Sequence, residues 1–281
     1  MFWHTLWPKR RLKTLPLRRN HPGILAPGPA SIGIIAALGG LLLAFSAARA
    51  EGFSTEQKAE IEGIIKNYLM EKPEVLRDAI GVLEAREKEA QAKERQKTVS
   101  EHSSTLFSPA KQAIIGNSNG KITLVEFFDY NCGYCKRALG DLARLMKDNP
   151  DLRVVLRDFP ILSPGSVEAA RVANAFLRQF QGEKFWAFHQ KLLSSRSPVG
   201  KAEAMAVAKE LGADMDKLSR DAADPAISEG IAESEKFAKS LQVNGTPAYV
   251  IGEDVVIGAV GYDELEARVA NMKKCGKVIC S

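Results

Sequence analysis

Hydrophobic positions change their period several times along the chain, and each change marks an element. Residues Ile32 to Phe45 run almost unbroken apolar behind a basic stretch. Further on, Ile61, Ile64, Ile65, Tyr68 and Leu69 recur at helical spacing. Ser54 and Gln57 ahead of them have the form of a capping box, a helix start. Pro73 marks a break, because a proline biases the residue before it, here Lys72, out of the helical region. A second helix starts there and places Leu76, Ile80 and Leu83 on one stripe. After Leu83 the apolar residues stop, yet "EAREKEAQAKERQK" stays rich in helix formers, with Glu84 to Lys88 and Glu89 to Lys93 at i,i+4. That stretch reads as a solvated helical spacer.

From about Gln112 the pattern alternates between strand and helix. "QAIIG" is a short strand, "NSNG" a turn, and "KITLVEFFDY" a strand rich in β-branched and aromatic residues, expected to be buried on both faces. A helix from Cys132 to about Lys147 carries Leu139, Leu142, Leu145 and Met146 and ends at Asn149-Pro150. "LRVVLRDF" is the next strand, so strand, helix and strand predict a parallel βαβ pair. Residues 164–241 are helical in pattern, with breaks near Gly182, Ser197 to Gly200, Gly212 and Asp224-Pro225. "PAYVIG" and "VVIGAVG" give a last pair of strands joined at Glu253-Asp254, and a closing helix runs from Tyr262 to about Lys274. The predicted class is α/β, with no internal repeat.

Charge changes the reading of the first 50 residues. The chain holds 39 Lys and Arg against 34 Asp and Glu, but residues 1–50 carry seven of the bases and none of the acids, so the remainder is at −2. The basic excess belongs to the N-terminus, and nucleic-acid binding loses its main support. Basic region, short apolar region and Ala48-Arg49-Ala50 in that order form a cleavable secretory signal. Arg10-Arg11 is similar to an incomplete twin-arginine signal. An uncleaved anchor is the alternative, although the apolar run is short of the ~20 residues of a spanning helix. On either reading the rest of the chain is exported, which places it in the periplasm.

The two N-terminal helices have no evident core of their own, so their stripes need a partner. The polar spacer holds them away from the downstream domain, and self-association is expected, with packing back as the alternative.

The chemistry lies in "FFDYNCGYCKRAL", residues 127–139. A C-x-x-C after a buried strand, at the first turn of a helix, sits where unpaired N–H groups and the positive end of the helix ease ionisation of the first thiol. Cys132 is the candidate nucleophile, and Cys135, one turn on, can resolve a mixed disulfide. A structural zinc half-site or a plain structural disulfide are the competing readings. The former lacks partners, because Cys275 and Cys280 have the wrong spacing for a second C-x-x-C and the four histidines form no metal pair. Cys275 and Cys280 lie in "KKCGKVIC" and are expected to form a short structural bridge in an exported protein, with a second redox or copper-binding pair as alternatives. Phe185, Trp186 and Phe188 are expected in the core of the helical stretch, His189 on a helix face, and His102 in a linker.

"LVEFFDYNCGYC", a long helical stretch and "VNGTPAYVIG" together resemble the exported DsbA-like thioredoxin-fold proteins, over roughly residues 104–272. The resemblance implies a thioredoxin fold with a helical insertion, preceded by an α-helical N-terminal segment. Its domains are a signal at 1–50, a helical oligomerisation segment and linker at 51–103, and the DsbA-like domain at 104–281 with its insertion at about 164–241. The resemblance also implies that Thr246-Pro247 is cis and lies against the cysteines, where an ordinary trans turn is the alternative. Glu126, six residues before Cys132, matches a family glutamate under the cysteine pair that ferries protons, unless it is a strand-edge acid facing solvent. Gly133-Tyr134 matches the isomerase DsbC rather than the histidine-containing oxidase, and Thr246 also sits on the isomerase side. A less depressed thiol and a more reducing couple are expected. The N-terminal segment looks like that of the ScsC (suppressor of copper sensitivity C) proteins, some of which trimerise and isomerise disulfides.

The function expected is a disulfide isomerase without a cofactor, acting on unfolded or misoxidised secreted proteins and kept reduced by a DsbD-like membrane reductant. It would work as a homo-oligomer. The first alternative is a dithiol oxidase with a DsbB-like oxidant; one of another class is a Cu(I)-binding or chaperone protein.

Overall fold

The computed structural model describes residues 52–280, so the signal expected at residues 1–50 lies outside the described residues. Its first helix, α1 (Thr55–Glu71), is capped as the sequence suggests: Ser54 N donates to Gln57 Oε1 at 2.9 Å, and Gln57 N donates back to Ser54 Oγ at 3.2 Å. A compact unit begins at Ile65, within the second half of that helix. It contains α2 (Pro73–Glu101), with Pro73 at the first helical position, where its missing N–H costs nothing.

A mixed sheet of five strands organises the unit: β1 (Ala113–Gly116), β2 (Ile122–Phe128), β3 (Leu152–Asp158), β4 (Ala248–Ile251) and β5 (Asp254–Ile257), in the order β1-β3-β2-β4-β5. β2 and β3 are parallel, as a strand-helix-strand passage through α4 (Gly133–Asp148) requires, and the other three pairings are antiparallel. β2 is central and covered on both faces. Leu124 and Phe128 point to one core, with Leu156, Tyr249, Leu142 and Leu145 of α4, and Leu265 and Val269 of α10 (Tyr262–Cys275). Val125 and Phe127 point to the other, with Val155, Val250 and Ala248. This alternation with a period of two puts Glu126 on the α4 face, between Leu124 and Phe128.

Between β3 and β4 stand five helices, α5 (Pro164–Leu177), α6 (Glu183–Leu193), α7 (Lys201–Glu210), α8 (Met215–Ala223) and α9 (Pro225–Ser240). Their caps are legible in the chain. Ser163 accepts from Ser166 N, Asp214 from Lys217 N, and Asp224 from Ala226 N just ahead of Pro225. The expected thioredoxin fold with a helical insertion and a helical N-terminal region is therefore present.

Several features of the packing add to the expectation or depart from it. The helix stays exposed or half-exposed over the expected spacer, residues 84–97, and is buried just beyond it: Thr98 and Val99 are buried, and Val99 packs in the second core beside Leu106, Val125 and Val250. A short helix, α3 (Ser103–Phe107), follows the expected linker, and His102 lies edge-on to Phe237 at 5.6 Å. Two arginines of β3 hold α3 by its last carbonyls. Arg157 Nη2 donates to Thr105 O at 2.6 Å and Arg153 Nη1 to Phe107 O. His189 lies on a helix face, and that face is wholly buried, with Phe185 and Phe188. Its stripe explains why: Phe185, Phe188, His189 and Leu192 fall at i, i+3, i+4 and i+7 of α6. Finally, the β4–β5 turn is made by Gly252-Glu253, one residue earlier than expected, with Gly252 at φ 55 supplying the left-handed conformation.

Candidate active site

Cys132 is the N-cap of α4, and Cys135 lies in its first turn facing the sheet. Neither is disulfide-bonded. Cys132 keeps 5% of its surface exposed and Cys135 1%, so a partner from solution meets Cys132 first. Cys132 Sγ donates to the backbone oxygen of Thr246 at 3.1 Å, and the Thr246–Pro247 peptide is cis. The loop before β4 is thereby laid against the cysteine pair, 114 residues away in sequence.

The Cys132 thiol is drawn down to about 5. The largest cause is the hydrogen bond from the Cys135 thiol; the Thr246 side chain and the backbone N–H groups of Cys135 and Tyr134 add to it, against the opposing effect of burial. The Thr246 carbonyl accepts from the thiol but repels a thiolate. Thr246 Oγ1 is buried with no partner among the described residues, which leaves its hydroxyl free to donate to the ionised sulfur. Cys135 moves the opposite way: the bond it gives to Cys132, and then burial, push its thiol far above the ordinary range. The pair is thus split into an outer thiolate with a narrow opening to solvent and a protonated thiol beneath.

Glu126 faces this pair from β2 with 2% of its surface exposed, in register with Leu156 of β3 and Tyr249 of β4. Burial first, and then the charge on Cys132, raise its carboxyl to about 8. Its Oε2 has no hydrogen-bond partner among the described residues. A buried carboxyl without partners stays neutral until something removes the penalty on its charge.

Gly133 and Tyr134 lie on the outer side. Tyr134 is 60% exposed, and the Arg137 guanidinium stacks over its ring at 4.2 Å. Exposed Ile161 and Leu162 belong to the same rim, since Leu162 N donates to Asp129 Oδ2 at 3.0 Å, three residues before Cys132.

The structure thus brings together Cys132, Cys135, Glu126, Gly133, Tyr134, Thr246 and Pro247, and leaves Cys275 and Cys280 elsewhere. Those two are joined at the end of α10, with Cα atoms 6.1 Å apart, where Gly276 closes the helix at φ 72.

Several polar residues around the site are not evident from the sequence. Asp129, Tyr130 and Asn131 bond to the insertion, and His189 Nδ1 lies 3.3 Å from the Tyr130 hydroxyl. Burial pulls His189 down to about 3, so the imidazole is neutral. Asp158, raised to about 7 mainly by burial, accepts from Asn174 Nδ2 at 2.8 Å. One signal is present in the chain, the polar run Asp-Tyr-Asn between an apolar strand and a cysteine.

A C-x-x-C at the start of the helix that follows the central strand of such a sheet, facing a cis-proline loop, defines a thioredoxin-fold thiol–disulfide oxidoreductase. Residues 123–270 match the DSBA-like thioredoxin domain, and residues 57–90 match the N-terminal domain of the copper resistance protein ScsC. The chain belongs to the DSBA-like thioredoxin family. It is similar to a thioredoxin-like oxidoreductase from Silicibacter pomeroyi DSS-3, with 37% identity, 61% of this chain and 98% of that one covered, and a TM-score of 0.58. It is also similar to Proteus mirabilis ScsC in a transitional conformation, with 27% identity, coverage of 76% and 94%, and a TM-score of 0.55. Among curated proteins it matches the Na(+)/H(+) antiporter NhaA 1 of Salinispora arenicola, 28% identical over 165 residues, 58% of this chain and 25% of that protein. The chain spans about a quarter of the length of the curated relatives it matches. Among the described residues no helix is long and apolar enough to cross a membrane.

Proposed function

We propose that the protein is an exported, periplasmic disulfide isomerase that works as a homo-oligomer and is held reduced by a DsbD-like membrane reductant. The observation that carries the chemistry is the split between the two thiols: an outer, barely exposed thiolate at the head of α4 above a buried, protonated partner. The Cys132 thiolate attacks one sulfur of a client disulfide; a mixed disulfide forms and the other client sulfur leaves as a thiolate. If that thiolate attacks a different client disulfide, and a client thiol then displaces Cys132, the bonds are rearranged with no net electron transfer. If it does not, Cys135 displaces the client, the Cys132–Cys135 disulfide forms, and two electrons have passed to the client.

The second route needs the Cys135 proton removed. Glu126 is the acceptor. The Cys132 charge contributes to its raised pKa, and the mixed disulfide abolishes that charge. Glu126 therefore becomes easier to ionise at the step when Cys135 must give up its proton.

Two features favour shuffling over oxidation. Gly133-Tyr134 places no imidazole between the cysteines. The exposed apolar rim of Tyr134, Ile161 and Leu162 suits clients with unburied apolar segments. Oligomerisation is supported by the N-terminal helices, where Ile64, Ile65, Tyr68, Leu76, Ile80 and Leu83 are all about half exposed or more. We take the segment to run from residue 51 to residue 97, because Val99 packs in the second core.

The test is reactivation of scrambled, fully disulfide-bonded ribonuclease by the reduced protein lacking residues 1–50, with the segment up to residue 97 present or deleted. Recovery that needs the segment is expected. Absence of recovery in both forms, with rapid oxidation of reduced ribonuclease by the oxidised protein, would make it a dithiol oxidase served by a DsbB-like partner.

A further inference from the structure

Each of the three residues leading into Cys132 ties, through its side chain, to the helical insertion or to the loop that leads into it. Asp129 Oδ2 accepts from Leu162 N at 3.0 Å, and the Tyr130 hydroxyl meets His189 Nδ1 at 3.3 Å. Asn131, directly before the cysteine, does most. Its Nδ2 donates to Val199 O at 2.8 Å and to Ser166 Oγ at 3.0 Å, with Ser163 Oγ at 3.4 Å, and its Oδ1 accepts from Val199 N at 2.7 Å.

This arrangement is specific to a primary amide. A carboxamide carries donor and acceptor in one plane and can pair with both backbone groups of a single residue, as a neighbouring strand would. An aspartate would set a charge against the Val199 carbonyl, and a serine or alanine would not span the gap. The backbone of the loop is fixed at the same point: Asn131 N donates to Asp129 Oδ1 at 2.7 Å, and Cys132 N to Asp129 O at 3.0 Å. Beyond the cysteines, Lys136 Nζ donates to Ser195 O at 2.7 Å, so α4 is held to the same insertion loop from its other side.

We propose that Asn131 is a positioning residue for thiol exchange: by pinning the chain to Val199 and Ser166 of the insertion one residue before Cys132, it holds the Cys132 sulfur over the first turn of α4 and against Thr246. The proposal rests on the reading of Cys132 as nucleophile and deepens it. The insertion becomes a clamp on the reactive residue as well as a cover for the sheet. With the pin removed, the loop swings on the backbone of residues 129–132, and the sulfur spends less time within reach of the N–H groups of Tyr134 and Cys135 that favour its charge.

The experiment compares the full reduced protein with Asn131→Ala and Ser166→Ala. It reads the thiolate absorbance of Cys132 against pH and the rate of alkylation by iodoacetamide from pH 4 to pH 10. Asn131→Ala should shift the titration to higher pH, with about tenfold less thiolate at pH values near and below the wild-type midpoint and rates that converge once both thiols are ionised. Ser166→Ala removes one acceptor only and should shift it in the same direction by less. A purely structural role would lower the melting temperature and leave the titration in place. Superimposable pH profiles for Asn131→Ala, or for Ser166→Ala if the first variant does not fold, overturn the proposal. A wild-type protein whose Cys132 is alkylated no faster than an ordinary thiol at pH 6 would instead overturn the nucleophile reading beneath it.

Discussion

Glu126 separates stability from chemistry at a single position. Its folded carboxyl is raised to about 8, so the native state holds this proton more tightly than the unfolded chain does. The favourable contribution is full below the unfolded value near 4.5 and is lost as pH rises towards about 8. Glu126→Gln cannot ionise and escapes that loss. The variant should be more stable than the wild type at pH 8.5, by at most about 5 kcal/mol, and close to it at pH 4.5, as urea unfolding would show. Its mixed disulfides should also persist, because Cys135 lacks its proton acceptor; a wild-type rate of resolution in single-turnover exchange would remove the assigned role. The residue is legible in the sequence as an acid in a strand that otherwise reads as core, and the cysteines by their spacing. His189 is not, because the aromatic members of α6 alone suffice to account for its buried stripe. Nor is Asn131: an asparagine ahead of a helix reads as an ordinary turn residue, and its partners lie 32 to 68 residues away.

Secondary structure is legible in kind for nearly every element after residue 111, since buried strands and capped helices carry their own punctuation. The point at which α2 joins the core is hard to read, because the charged helix looks uniform until its last turns, where only Val99 announces burial. The fully buried Arg157 fixes that junction. It bonds α3 carbonyls, stands 3.6 Å from Glu233 and lies over the Phe237 ring at 4.8 Å, so it joins β3, α3 and α9 at one point. Arg157→Leu keeps much of the volume but strands the carbonyls of Thr105 and Leu106; a loss of about 2–4 kcal/mol in urea unfolding is expected. The exposed stripe of α2 behaves differently, because no part of its own unit covers it. Ile80→Asp together with Leu83→Asp should leave the unfolding midpoint of the domain within about 0.5 kcal/mol and reduce the light-scattering mass to that of a single chain. An unchanged mass would show that assembly does not use this stripe.

For the molecule as a whole, the redox state of the pair alters how stability depends on pH. In the reduced protein the Cys132 thiol is at about 5 when folded, against 9.0 for an unperturbed cysteine. Its contribution is complete above 9 and is lost as pH falls towards about 5, because the unfolded chain then binds the proton that the folded one declines. In the oxidised protein this group does not titrate. Glu126 and Asp158, raised in the reduced protein to about 8 and about 7 mainly by burial, pull the other way in both states and lose stability as pH rises, Glu126 less so in the oxidised protein, where the Cys132 charge is gone. The oxidised form should therefore weaken steadily between pH 5 and pH 8, whereas the reduced form offsets part of that decline. The disulfide's own effect on the unfolded chain is independent of pH, so it cancels when the two forms are compared at two pH values. Going from pH 5 to pH 8, the reduced form should gain on the oxidised by at most about 4 kcal/mol, and by about 2 kcal/mol once solvent screening at the rim is allowed for. Urea midpoints of both forms at the two pH values measure this directly. A parallel pH dependence would mean that the fold does not stabilise the Cys132 thiolate, and the attack step would then have to start from an ordinary thiol.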